Sequence, residues 1–249
     1  MDKSLIIYPQ FAAFENLIAF STTKETFPEN SSPHFTGERS TIFEENRKKL
    51  ASLLNISVNQ LVFPRQTHSN CVAGISTTPE TELKQTDATI TNQNGICLCV
   101  QTADCVPVLL FDPAKRVVAA VHAGWRGTVK NITGTAVEKF KNSYQSDPEN
   151  IVAVIGPSIS AEVYEVGNEV IDAVFRNVPH AEKVIHKNSS GKYHLDLWES
   201  NRQLLITQGL NPENIHIFGE CSFLNDKKYF SARRDGIETG RTVSGIMML

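Results

Sequence analysis

The sequence predicts an α+β protein with largely antiparallel or mixed sheets. Short apolar, β-branched runs arrive in groups, helical patterns separate them only occasionally, and regular strand–helix alternation is absent. No internal repeat or strong linker interrupts the chain, so residues 1–249 read as a single domain. In order, the strand-like runs are Leu5–Tyr8, Ile18–Ser21, Leu61–Phe63, Val72–Ile75, Ala88–Thr91, Ile96–Gln101, Val106–Phe111, Val117–His122, Ile151–Ile155, Ile215–Phe218, Tyr229–Ala232 and Val243–Met248. A helix from Thr41 to Leu54 opens with the capping pair Thr41 and Glu44 and repeats apolar residues at Phe43, Leu50, Leu53 and Leu54. A second, Thr128 to Phe140, carries Val129, Ile132, Ala136 and Phe140 on one stripe. A short helix spans Asn168 to Phe175. The last opens at Asp196-x-x-Glu199 and stops at Gly209. Thr22 to Ser40 is rich in Thr, Ser, Pro and Glu and reads as a surface loop.

With 41% hydrophobic and 20% charged residues, the chain can bury a sizeable core without covalent staples. A net charge of -3 gives no electrostatic case for nucleic acid or an anionic membrane, and the basic clusters Arg47-Lys48-Lys49 and Lys227-Lys228 read as solvated faces. No apolar run approaches the ~20 residues that cross a bilayer. The run Leu5-Ile6-Ile7 is too short for a secretory core. Five scattered cysteines without a Cys-x-x-Cys pair fit a reducing compartment, so a cytoplasmic location is expected. Cys97 and Cys99 share one strand face and read as small core residues.

Chemistry concentrates around one turn. Two apolar runs flank Asp112-Pro113-Ala114-Lys115, a hairpin signature. With Phe111 opposite Arg116, Cys105 faces His122, and directly opposed residues hold their Cβ atoms about 4.5–5.5 Å apart. A thiol and an imidazole at that spacing suit either a shared metal ion or a cysteine activated by a histidine. A one-residue bulge at the turn would shift the register and place them on opposite faces. His68, in Gln66-Thr67-His68-Ser69-Asn70, lies just past the run Leu61–Phe63. By itself it is an ordinary polar residue; beside another ligand pair it becomes a candidate. His122 opens His122-Ala123-Gly124-Trp125-Arg126-Gly127-Thr128, a strand–turn–helix sequence. Its amides and Arg126 could face an anion, or its glycines could merely make a tight turn.

These segments resemble a known family. Thr102-Ala103-Asp104-Cys105-Val106-Pro107-Val108-Leu109, Val121-His122-Ala123-Gly124-Trp125-Arg126-Gly127-Thr128 and Gln66-Thr67-His68 are similar to the signature blocks of the YfiH-type laccase-domain family. Its members were labelled multicopper polyphenol oxidases and later purine nucleoside phosphorylases. Further matches are Ile155–Ile159, Tyr164–Gly167, Asp196–Trp198 with Asn201, and Ser231–Gly236 with Thr239–Arg241. The resemblance implies a layered α/β/β/α fold with two packed mixed sheets, related to the deamidating-toxin cysteine hydrolases. It also implies one catalytic zinc per chain on His68, Cys105 and His122. Ser158 stands where the family commonly has cysteine, and Ile237-Glu238 intervene in a C-terminal block.

Two imidazoles and one thiolate fill three tetrahedral zinc positions and leave the fourth open, the catalytic pattern. Laccase chemistry fails on ligand counting. A multicopper relay needs roughly ten histidines; this chain has seven, none in a His-x-His pair. Zinc is therefore expected and copper is not. A zinc-activated water suits attack at C6 of adenosine. The resemblance adds phosphorolysis of purine nucleosides, including methylthioadenosine, so the expected partners are a small nucleoside and phosphate. The turn at Gly124 with Arg126 is the first phosphate candidate; Arg65, Arg233 and Arg234 are weaker ones. Asp104 reads as support or as an acid–base group. The competing class is a metal-free hydrolase with Cys105 as nucleophile and His122 as base, acting on an amide such as a peptidoglycan precursor. A binding protein with a vestigial site is a third.

Overall fold

Short β-branched runs bounded by turn residues become strands, and the few amphipathic segments become helices that cover them. The computed structural model describes residues 4–36, 41–80 and 82–249. In chain order the strands are β1 (Leu5–Ile7), β2 (Leu17–Thr22), β3 (Leu61–Val62), β4 (Val72–Gly74), β5 (Ala88–Thr91), β6 (Cys97–Thr102) and β7 (Val106–Asp112). There follow β8 (Val117–Ala123), β9 (Val152–Ile155), β10 (Glu165–Val166), β11 (Ile185–Lys187), β12 (Tyr193–Leu195), β13 (Ile215–Ile217) and β14 (Thr242–Met248). The helices are α1 (Pro9–Ala12), α2 (Thr41–Leu54), α3 (Trp125–Val129), α4 (Ile132–Tyr144), α5 (Asn168–Asn177), α6 (Ala181–Val184), α7 (Leu197–Thr207) and α8 (Ala232–Asp235).

Two mixed sheets dominate: a five-stranded one, β1-β2-β14-β6-β3, and a six-stranded one, β13-β9-β7-β8-β5-β4. Strand alternation sends each sheet's side chains into different layers. Leu109, Phe111, Val118 and Ala120 meet Leu17, Leu98, Val100 and Ile246 between the sheets. The opposite face of the six-stranded sheet, Val108, Leu110, Ala119 and Val121, packs on Ile132, Ala136 and Phe140 of α4 and Leu197 and Leu205 of α7. The outer face of the other sheet, including Phe20, Cys97, Cys99 and Val243, receives Leu50, Ala51 and Leu54 of α2. The layers therefore run helix, sheet, sheet, helix, as the resemblance implies. No helix of the described residues is long and apolar enough to cross a membrane.

Local chemistry explains the helix ends. Asp196 caps α7 by accepting from Glu199 N at 2.9 Å, and Gly209, at φ 96°, follows its end. The expected helix from Thr128 is two helices, because Asn131 adopts φ 60° and starts α4 anew after the short α3. Tyr229–Ala232 is not a strand: Ser231 Oγ accepts from Arg234 N at 3.2 Å and starts α8. The segment after Thr22 is less superficial than expected, since Phe27 and Phe35 are buried in the α2 layer; the end of that expected loop, residues 37–40, lies outside the described residues. The small sheet β10-β12-β11 was not foreseen.

The hairpin differs by one residue at each side of its turn. Asp112 pairs with Val117 and ends β7, its carboxylate accepting from Ala114 N and Lys115 N. His122 consequently faces Pro107, not Cys105. The shift is even, so the face is kept. His122 shares its side of the strand with Val118 and Ala120, at the open end of the layer between the sheets.

Candidate metal centre

The loop after β3 is fastened by side chains that imitate a strand. Gln66 Oε1 accepts from Gln101 N at 2.9 Å, and Gln66 Nε2 donates to Gln101 O at 2.8 Å. Beyond it, the amides of Thr67, His68 and Ser69 and the Ser69 hydroxyl all donate to the Asp87 carboxylate, at 2.7–3.1 Å. His68 sits at φ 59°. That left-handed conformation costs a non-glycine residue about 1–2 kcal/mol, which the convergent bonds offset.

Asp87, fully buried at the head of β5, also orients the second imidazole. Its Oδ1 accepts from His122 Nδ1 at 2.8 Å, and an ionised carboxylate can only accept. The His122 Nε2 lone pair is thereby left for a ligand. Burial pushes the Asp87 carboxyl up, but bonds from His122 and Ser69 and the His122 charge bring it below the ordinary carboxylate range. Asp87→Asn replaces an acceptor with an amide that cannot serve all these donors. We expect metal affinity to fall about 10–100-fold and unfolding free energy to drop by about 2–4 kcal/mol, measured by chelator competition and denaturant titration.

Cys105 follows Asp104, at φ 87°, and lies just before β7. Its Sγ is 3.7 Å from His68 Nε2, and the His68 and His122 rings meet edge to face with centroids 4.9 Å apart. One ligand atom from each of the three residues lies within 4.8 Å of the others. Burial pushes the Cys105 thiol up, yet the His122 charge and hydrogen bonds from both histidines outweigh it and lower the thiol to about 6. Burial likewise opposes the His122 cation, and Cys105 and Asp87 together raise it to about 9. Among the described residues no other group of three or more His, Cys, Asp or Glu side chains converges in this way.

Gly124 makes the room. A Cβ there would stand 2.8 Å from His68 Cδ2 and 2.9 Å from Cys105 Sγ. Its φ of -69° is ordinary, so glycine serves close approach and not left-handed backbone. The helix it opens, α3, has only five residues, too short for a strong end dipole.

The other sequence candidates separate. Arg126 is exposed and lies 4.2 Å over the Trp125 ring. Arg233 lies 5.1 Å over the Tyr164 ring. Arg65 is exposed and 3.6 Å from Glu82. Arg234 is a structural cation, bound to the carbonyls of Ser222, Phe223 and Tyr229 and to Asp235. Asp104 supports the fold: its carboxylate accepts from Ser222 Oγ, Ser231 Oγ and Arg233 N at 2.7–3.0 Å. Ser158 Oγ accepts from Trp198 Nε1 at 2.6 Å, a packing role. Sequence reasoning missed Asp87; its signal was a carboxylate joined directly to the apolar start of a strand. It also missed Tyr164, which the charges of Cys105, Arg233 and Arg126 all reach.

A layered α+β frame with a His–Cys–His donor set at the open end of its sheets defines a class of metal-associated enzyme. The family described as "Multi-copper polyphenol oxidoreductase laccase" matches residues 24–249. The purine nucleoside phosphorylase of Bacteroides thetaiotaomicron is 34% identical, covering 99% of this chain and 97% of that one. Adenosine deaminase RL5, from an unknown prokaryotic organism, is 36% identical over 93% of this chain and 94% of its own. The crystal structure of the Bacillus licheniformis hypothetical protein YfiH superposes with a TM-score of 0.88 at 32% identity, covering 100% of this chain and 97% of that one. The chain belongs to this laccase-domain family of enzymes.

Proposed function

We propose that this protein is a zinc-dependent purine nucleoside phosphorylase that also deaminates adenosine and phosphorolyses methylthioadenosine. The observation that carries the reading is the donor set. Two imidazoles and a lowered thiol lie within 4.8 Å of one another, with Asp87 fixing one ring and Gly124 leaving space for both sulfur and ring. His68, Cys105 and His122 would hold one zinc, a better match than copper for three such ligands with an open direction. Bound there, zinc supplies a Lewis acid that activates water or polarises an oxygen.

The remaining residues bind and orient. Arg126, on the turn that follows His122, and Arg233, whose amide bonds the Asp104 carboxylate beside Cys105, would hold phosphate with the Gly124 turn, and Arg65, engaged with Glu82, ranks behind. In phosphorolysis a phosphate oxygen forms a bond to C1′ of the ribose as the bond from C1′ to the purine nitrogen breaks. The base leaves with that electron pair and takes up a proton. A single domain would carry both chemistries in the cytoplasm.

The test is incubation of the purified protein with inosine, with and without inorganic phosphate. Hypoxanthine release that requires phosphate, in protein holding about one zinc per chain by elemental analysis, is the expected result. Release indifferent to phosphate rejects phosphorolysis.

A second reading is favoured by the chain from Cys105 through His122 to Asp87, with its lowered thiol and raised imidazole. A metal-free cysteine nucleophile would use it on an amide, with a peptidoglycan precursor as substrate. His68 separates the two readings.

A further inference from the structure

We infer that the Tyr164 hydroxyl is a third donor of the phosphate subsite, acting with Arg126 and Arg233. The inference rests on the phosphorylase reading and adds to it a residue that neither metal ligation nor the cationic side chains account for.

Tyr164 is held on both sides by its backbone. Its N–H donates to Ser160 O at 3.0 Å, and its carbonyl accepts from Leu195 N at 3.1 Å. The Arg233 guanidinium lies 5.1 Å over its ring and is tied to the neighbouring carbonyl, Glu165 O, at 3.0 Å. The Arg233 amide donates to Asp104 Oδ2 at 2.7 Å, so ring and cation are pinned to the residue preceding Cys105. Arg126, braced on Trp125, is close enough for its charge to reach the same phenol. Burial and the Cys105 charge push that phenol up to about 12, so it remains a donor at neutral pH.

Among the described residues neither the Tyr164 hydroxyl nor the Arg126 guanidinium makes a hydrogen bond, the guanidinium having only its contact with the Trp125 ring. The residue is half-buried. Two guanidinium groups offer donors only, and the phenolic O–H between them can add one more. Their common complement is an acceptor-rich anion, which in this reaction is inorganic phosphate and not the nucleoside.

Tyr164→Phe keeps the ring under Arg233 and removes only the hydroxyl. Titration of the zinc-loaded protein with inorganic phosphate should show about a tenfold weaker Kd. The Kd for inosine, measured without phosphate, should stay unchanged, as should zinc content and Tm. Phosphate binding equal to the parent overturns the inference, and so does a parent that binds no phosphate. A loss shared equally by phosphate, inosine and zinc assigns Tyr164 to the scaffold and also overturns it. If the parent binds phosphate, the variant binds it more weakly, and neither releases base from inosine, the subsite stands while the phosphorylase reading fails.

Discussion

Replacing His68 with alanine is expected to lower nucleoside turnover by more than about 10²-fold and to strip the bound metal. Residues that merely orient a ligand cost 10–100-fold when lost, so removing a ligand should cost at least as much. The substitution is clean because His68 contributes little else through its side chain. Its amide donates to Asp87 and its carbonyl accepts from Lys130 Nζ, and alanine retains both. The left-handed backbone at this position is already borne by histidine, so alanine adds little strain and Tm should fall by a few degrees only. Zinc per chain and kcat/KM for inosine are the readouts. If the variant keeps a third or more of parental activity, a Cys105–His122 dyad does the chemistry and the metal reading is wrong.

Gly124→Ala is expected to disable the site almost as completely with no group of the site removed. The added methyl would come within 3 Å of the Cys105 sulfur and the His68 ring, closer than carbon tolerates. Both are side-chain atoms that can rotate away, and the backbone angles suit alanine, so the fold survives while the ligands part. We expect metal affinity to fall about 100-fold or more, with unfolding free energy changed by less than about 1 kcal/mol. Chelator competition and thermal melts measure the two. Full metal occupancy at parental affinity would show that Cys105 and His68 can converge without this gap.

What could be read from the chain depended on how local its cause was. The α2 and α7 segments were legible because stripe and cap lie within one helix, Asp196 bonding Glu199 N. The break between α3 and α4 was not. The apolar stripe from Val129 through Ile132 to Phe140 continues across it, and the interruption is the αL backbone of Asn131, which asparagine adopts cheaply. The hairpin was half legible. The four-residue loop was foreseen, but Asp112 closes the strand by bonding the turn amides, which moved the pairing by one residue on each side. Cys105 and His122 stayed on one face only because that displacement preserved parity. The role of Asp87 was not legible beyond its place at a strand start: its partners at residues 67–69 and 122 are distant in sequence, and no periodicity marks a carboxylate that collects donors. Tyr229–Ala232 misled for the same reason, since Ser231 is committed to Asp104 and Arg234.

The placement of β14 bears on how the molecule is made. This strand lies between β2 and β6, pairing with Leu17–Ser21 on one side and Leu98–Thr102 on the other. Until residues 242–248 dock, both neighbours expose open edges that invite pairing with other chains. During synthesis the first sheet must therefore wait, half-built, while everything between is translated. Chaperone dependence and yield should be governed by this late insertion more than by the strength of the finished core.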